Sequence, residues 1–476
     1  MKILLVNPFV RGAVSNIPSI GMCYLSAMLK KNGYEVYGLD LQYDKEEKFD
    51  ELITSIDVLG IKTISKAVPE VIRLAKKAKQ LNPKIKVVIG GPHATLRPDE
   101  CIKENSIDFV VSGDGDFAIL GIADALNANN DFSDVKGLTW KENGNVKSNQ
   151  KEWIDLDVIP FPDRELFDIN RYKEYKFYYP FLPMIASRSC PYNCSNCMPA
   201  LREICGPFRY RSVDNVVAEM EELVTKYNHH RVWFNDSDLT VSREWIEDFC
   251  NKLIKKNLKM IWGCNGRANT LDRKMIRLMK KAGCITIHFG VESGNQEVVT
   301  KILRKGIDLE RVKKVIYEAN LVKMRTHCWF MIGIPGETKE QMIETLNYAK
   351  SLDCNSLQIS PVVPHPGIDL EKIAEAHGWI LPHKPEDLEN PERISLFKTD
   401  DWDPDYIKYM EDRWFKEFGD IGWFVDKKNF LFRNMRKEVQ WNFIQFIGRE
   451  ILTFLKDWRF EHVKNVLTGI KIKVFE

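Results

Sequence analysis

The chain alternates short β-branched runs with amphipathic stretches, and it does so twice. That repetition constrains the fold more than any other feature, because it is the signature of parallel sheets covered by helices. The first series predicts strands at residues 2–6, 35–39, 58–62, 86–90 and 108–112, separated by stretches such as 20–31 and 68–80 whose apolar residues recur at helical spacing. Five such strands predict an open α/β sheet over residues 1–135, with ligands taken at the carboxyl ends of its strands.

A hairpin signal follows at 138–147, where Asn143-Gly144 supplies the positive φ angles of a tight turn. Ile159-Pro160-Phe161-Pro162 then breaks the periodicity, since two prolines so close cannot sit inside a helix. Hairpin and linker together are assigned to 136–180. The second series places strands near 184–187, 232–235, 260–264, 285–289, 327–332 and 357–362, with helices such as 213–227, 243–255 and 339–351 between them. Six βα units are too few for a closed eight-stranded barrel and predict a partial one over 181–385, with its site at the carboxyl-end loops. Residues 386–476 drop the alternation and read as helical, with Trp423, Phe430, Phe432, Trp441, Phe443, Phe446, Phe454, Trp458 and Phe460 set among basic residues and a net charge of +5 over 421–476. Such a region packs as core, lies on a membrane surface or lines a channel for a lipid-like substrate, and sequence leaves these open.

Lys+Arg 69 against Asp+Glu 67 leaves a net charge of only +2, so no global field draws the protein onto nucleic acid. No apolar run of about 18 residues exists to span a bilayer. The opening MKILLVNPFV reads as a strand rather than a secretory signal. With eleven cysteines this predicts a reducing, cytoplasmic setting, in which thiols are core filler, metal ligands or nucleophiles. Cys23, Cys101, Cys205, Cys250, Cys264, Cys284, Cys328 and Cys354 stand singly and read as core filler.

The other three do not. Cys190-Pro-Tyr-Asn-Cys194-Ser-Asn-Cys197 follows directly on the first strand of the second series. Three thiolates on one short loop suit three irons of a [4Fe–4S] cluster. The fourth iron then keeps an open position, which is where a substrate or cosubstrate binds. The alternative is a zinc site completed by Cys205 or a distant histidine, although no second C-x2-C knuckle is present.

With that loop, Ser187-Arg188-Ser189-Cys190-Pro191, Tyr210-Arg211-Ser212, Asn235-Asp236-Ser237-Asp238, Phe289-Gly290-Val291-Glu292-Ser293-Gly294 and Gly333-Ile334-Pro335-Gly336-Glu337-Thr338 resemble the radical S-adenosylmethionine (SAM) enzymes. Ile20-Gly21-Met22-Cys23-Tyr24-Leu25, Gly60-Ile61-Lys62-Thr63, Gly90-Gly91-Pro92-His93-Ala94-Thr95 and Gly113-Asp114-Gly115-Asp116 extend the resemblance to the subfamily with an N-terminal cobalamin-binding domain of flavodoxin/Rossmann-like fold. The match runs from Val6 to about Trp379. It implies that Cys190, Cys194 and Cys197 hold the cluster and that SAM chelates its open iron. Reductive cleavage of SAM, with an electron from an external donor such as flavodoxin or ferredoxin, then gives a 5′-deoxyadenosyl radical that takes hydrogen from an unactivated carbon of a small-molecule substrate. Asp236 or Asp238 and Glu292 would accept hydrogen bonds from the SAM ammonium or ribose, Arg267 would balance its carboxylate, and the Gly333 to Gly336 turn would let backbone approach the adenine. Asn196 departs from the family pattern, which has an aromatic before the third cysteine; Tyr192 is the candidate to compensate.

For cobalamin, the resemblance implies space at Gly90, Gly91 and Gly113 and hydrogen bonds from Thr63, His93 and Thr95. The D-x-H-x-x-G pattern that puts histidine on cobalt is absent, so the corrinoid should bind without such a ligand. The leading expectation is cobalamin-dependent methylation of an unactivated carbon. The alternatives are radical coupling, cyclisation or rearrangement of a lipid-like or tetrapyrrole substrate without cobalamin, and a corrinoid- or zinc-binding protein with an idle barrel.

Overall fold

The computed structural model describes residues 1–10, 17–128, 130–168, 172, 181–197, 205–383, 395–418 and 425–426, and folds them around two seven-stranded sheets. In the first, β1 (Lys2–Asn7), β2 (Glu35–Asp40), β3 (Val58–Lys62), β4 (Lys86–Gly90) and β5 (Phe109–Val111) run parallel in the order β2-β1-β3-β4-β5, the flavodoxin-like order. Both faces are covered, which is why β1 reads as an unbroken apolar run. Ile3 and Leu5 pack with Met22, Leu29 and Ile122 of helices Ile20–Lys31 and Asp116–Asn127. Leu4 and Val6 pack with Phe49 and Leu74 of helices Glu46–Ile53 and Val68–Leu81 on the opposite side.

The hairpin forms as β6 (Leu138–Glu142) and β7 (Asn145–Ser148), with Asn143 and Gly144 at φ 51° and 81°. It does not stand apart with the linker, however. β6 pairs antiparallel with β5, which would otherwise present an unpaired edge, so the first sheet continues to Ser148 and not to residue 135. The linker also packs down: Leu166 and Phe167 join the core of Ile3 and Leu29, and Tyr172 donates its hydroxyl to Asp40 at 2.5 Å.

The second sheet begins with β8 (Leu182–Met184). A two-stranded antiparallel ribbon follows, β9 (Ser187–Arg188) with β10 (Arg209–Tyr210). The single strand expected near 184–187 is therefore split, and between its two pieces the Ala186 N–H is given to the Asp236 carboxylate at 3.1 Å instead of to a neighbouring strand. β11 (Arg231–Phe234), β12 (Ile261–Gly266), β13 (Cys284–Glu292), β14 (Arg325–Ile332) and β15 (Ser356–Pro361) complete six parallel strands in the order β8-β11-β12-β13-β14-β15, a partial barrel. Intervening helices start on side-chain caps: Ser212, Ser242 and Asp272 each accept the N–H three residues on, and Thr338 forms a capping box with Gln341. The helix-covered face of the sheet, with Phe234, Phe289, Phe330 and Ile359, forms the largest core, and Cys250, Cys264, Cys284, Cys328 and Cys354 are buried in it as small apolar groups.

That core does not stop at residue 385. Phe397 and Trp402, with Ile407, Met410 and Trp414 of helix Pro404–Phe418, are buried within it, and β16 (Val425–Asp426) pairs antiparallel with β15, so the tail is not purely helical. The aromatic residues from Trp423 to Phe460 named above lie outside the described residues. Among those described, no helix is long and apolar enough to cross a membrane.

Candidate active site

The cysteine loop leaves β9 through Ser189, whose φ is +72° and whose hydroxyl donates to the Gly206 carbonyl at 2.7 Å. Distant chain then fixes its middle. Ser195 donates its N–H to Leu303 O (3.0 Å) and its hydroxyl to Ile302 O (2.7 Å), while its own carbonyl accepts Leu370 N–H (2.9 Å). Cys190 is buried, and Cys194 and Cys197 are half-buried at one mouth. Burial raises the Cys190 thiol and pushes Cys197 up to about 12, so a metal centre formed here must displace protons. Cys205 lies beside Asp114 and Lys151 of the first domain, away from this group. Among the described residues no three His, Cys, Asp or Glu side chains are grouped to hold a single metal ion.

The candidate carboxylates divide by environment. Asp236 is fully engaged with Ala186 N–H and the Ser187 hydroxyl (2.5 Å), and burial pushes it up to about 6. Asp238 accepts Thr240 N–H and hydroxyl on Oδ1 (2.8 and 2.7 Å), while its buried Oδ2 has no hydrogen-bond partner. An orphaned carboxylate oxygen next to the cysteine loop suits a ligand carrying N–H or O–H donors. Glu292 stands at a register shift after Gly290 with φ +69°, and its Oε1 accepts Lys305 Nζ at 2.7 Å. A Cβ on Gly290 would run into the tips of both side chains of that pair, so a larger residue there must displace it. The Arg267 guanidinium lies over the Tyr192 ring at 3.8 Å from its centroid, joining the end of β12 to the cysteine loop. Asn196 reaches Met331 Sδ at 3.7 Å, and its buried Oδ1 lacks a partner.

Gly333 and Gly336 take φ +73° and +95°, as the turn demands. A Cβ on Gly333 would stand 3.0 Å from Ile407, so this side of the turn packs beneath helix Pro404–Phe418. Glu337 closes the turn by accepting Ile334 N–H at 2.8 Å, and burial raises its carboxyl to about 8.

At the carboxyl ends of the first sheet lies a cavity of about 450 Å³. Gly90, Gly91, Gly113 and Asp116 line it from the first domain, and Ile185, Arg188 and Asn235 from the barrel. Gly90 has no atom within 3.7 Å of a Cβ position, which leaves the open wall a bulky flat ligand needs. Thr63, His93 and Thr95 sit behind this wall. Thr63 donates to Ile61 O (3.3 Å), Thr95 accepts Gly113 N–H (3.1 Å), and His93 Nδ1 meets Ser65 Oγ (3.1 Å).

Two residues were not singled out by sequence reasoning. Lys305 follows a π-turn at Val298–Ile302, where no motif marks it. Arg188 lies two residues before Cys190 and binds Asp116 (2.6 and 3.2 Å) and Asp114 (2.9 Å), tying the cavity loop to the cysteine loop. The signal for it was available: an acidic Gly-Asp-Gly-Asp loop and an arginine beside the cysteines, in different domains.

Comparison with known proteins finds a family for each of the two parts of the chain. The profile of the Radical SAM superfamily matches residues 184–349, and that of the B12 binding domain matches residues 8–123. An uncharacterized methyltransferase of Pyrococcus horikoshii is 30% identical over 394 residues, covering 80% of this chain and 84% of its own. The anaerobic magnesium-protoporphyrin IX monomethyl ester cyclase of Rubrivivax gelatinosus is 28% identical, covering 78% of this chain and 69% of its own. Among solved structures, the radical SAM methyltransferase TsrM of Kitasatospora setae, with cobalamin and a [4Fe–4S] cluster bound, superposes with a TM-score of 0.67 at 18% identity, covering 80% of this chain and 79% of that one. The chain belongs to the radical SAM superfamily, in the group of enzymes whose barrel is preceded by a B12-binding domain.

Proposed function

We propose that the protein catalyses cobalamin-dependent methylation of an unactivated carbon in a small-molecule substrate. One observation carries this reading: the cavity of the B12-binding domain is closed by Arg188 and Asn235 of the barrel, Arg188 standing two residues before Cys190, so a corrinoid held there would lie against the barrel beside the cysteine loop. When bound, the cluster and SAM supply a radical that takes hydrogen from carbon, and cobalamin supplies the methyl group. The protein's part is orientation and exclusion of water.

Cys190, Cys194 and Cys197 hold three irons. Asp238 Oδ2 and Glu292 accept hydrogen bonds from SAM, and Arg267 and Lys305 place positive charge near its carboxylate. Asp236 shapes the loop instead, since its oxygens are occupied by Ala186 and Ser187. Gly90 would leave room for the corrin, and His93, held on Ser65 behind the wall, would take no part in holding it. The electron comes from an external donor such as flavodoxin or ferredoxin, in the cytoplasm.

A second reading, radical cyclisation without methyl transfer, is supported by the similarity to the Rubrivivax cyclase. Product mass distinguishes them. Anaerobic turnover of cell extract with methyl-deuterated SAM and hydroxocobalamin should give a product heavier by one labelled methyl group. A product that has lost hydrogen and carries no label would establish the second reading.

A further inference from the structure

Alternate residues of the barrel strands point away from the helices, and along β13 and β14 the inward His288, Trp329 and Met331 stay partly open while their neighbours are buried, as is His327 between them. The lumen so formed carries an unbroken run of rings: Trp233 on β11, His288 on β13, and His327 and Trp329 on β14. Successive centroids are 4.5, 4.7 and 4.6 Å apart, with tilts of 46 to 75° that stop the rings from closing flat on one another. In register with Trp329 on β15 stands Gln358, which is 5% exposed and whose Oε1 has no hydrogen-bond partner. Beyond them Met331, on the same face, touches Asn196 of the cysteine loop, so the run leads from the lumen to the thiols.

The charge of this lining is as telling as its shape. Among the described inward positions of β11 to β15 the only carboxylate is Glu292, already paired with Lys305. Burial and the nearby Arg325 charge hold His288 at about 3, and burial, His288 and Arg325 hold His327 at about 2, so both imidazoles are neutral. An ammonium group would find no counter-charge here, and an alkyl chain would leave Gln358 Oε1 buried with nothing polar against it. A flat ring system does neither.

We propose that the lumen selects a planar heteroaromatic substrate without a cationic group, stacked along Trp233, His288 and Trp329 and donating an N–H or O–H to Oε1 of Gln358. The inference rests on the radical SAM reading of the same mouth and replaces the lipid-like expectation.

The test measures binding of indole, 1-benzothiophene and 1-octanol to cluster-loaded protein by anaerobic equilibrium dialysis. Indole should bind about tenfold more tightly than octanol. Trp329→Leu should weaken indole about tenfold, and Gln358→Leu should weaken indole severalfold while leaving benzothiophene, which has no N–H, unchanged. Octanol binding as tightly as indole in the unmodified protein overturns the proposal without recourse to any variant, as does equal loss of indole and benzothiophene in a cluster-loaded Gln358→Leu. Iron content and SAM cleavage are measured on the same samples. Failure of those defeats the radical SAM reading, whereas intact iron and cleavage without ring preference defeats only the substrate class.

Discussion

Lys305 Nζ lies 2.7 Å from Glu292 Oε1, with both side chains about 85% removed from solvent and Gly290 leaving the space in which they meet. A hydrogen bond to a charged group contributes about 1.5 to 3 kcal/mol. Glu292→Gln should therefore keep about four irons per chain and weaken SAM binding by roughly ten- to hundredfold. Gly290→Ala should do the same by displacing the pair. Calorimetric titration of SAM into iron-loaded protein checks both, and unchanged affinity in the two variants would remove Glu292 from the SAM site.

The cobalamin site makes a steric prediction. Gly90→Trp should fill the cavity, so that cobalt no longer co-elutes with the protein after anaerobic gel filtration with hydroxocobalamin. His93→Ala should retain cobalt, and the Co(II) form of the unmodified protein should show no axial nitrogen splitting in its electron paramagnetic resonance spectrum. Splitting that disappears in His93→Ala would show that His93 leaves Ser65 and binds cobalt.

Glu219 sits between Arg164 and Arg211, at 2.6 and 2.5 Å, with all three side chains nearly inaccessible. Removing one partner strands buried charge, at a cost of about 3 to 5 kcal/mol. Glu219→Ala should lower the denaturation midpoint accordingly. A change within error, by urea unfolding, would mean that water enters to solvate the arginines.

Glu337 predicts a pH effect with a definite sign. Its folded value of about 8 lies above the ordinary carboxyl range, so its contribution is complete below about pH 4.5 and is lost as pH rises through 8. Each pKa unit is worth about 1.4 kcal/mol. The unmodified protein should thus lose a few kcal/mol more stability than Glu337→Gln between pH 6 and 9, and parallel curves would place water on the unpartnered Oε2.

The strands of both sheets were legible because buried β-branched runs and amphipathic helices alternate so regularly. β3 and β4 match their expected ends residue for residue. The cysteine loop was legible from spacing alone. Periodicity could not reveal pairing between segments: the hairpin joining β5, or helix Pro404–Phe418 entering the barrel core, depends on which edges and faces lie unsatisfied after folding. Roles within the site were harder still. Asp236 and Asp238 are two residues apart and look alike in sequence, yet one is used up by the Ala186 N–H and the Ser187 hydroxyl and the other keeps an unpartnered oxygen. Lys305 was invisible because its relation to Glu292 is made by a bulge, which no motif encodes.

The anchors of Ser195 bear on how the enzyme is made. Its hydroxyl is held by Ile302, 107 residues downstream, and its carbonyl by Leu370. While the chain is being synthesised, the three thiols therefore have no fixed arrangement until almost the whole barrel has left the ribosome. Metal loading is a late event, and a fully occupied cluster is itself a certificate that the barrel has closed around its loop.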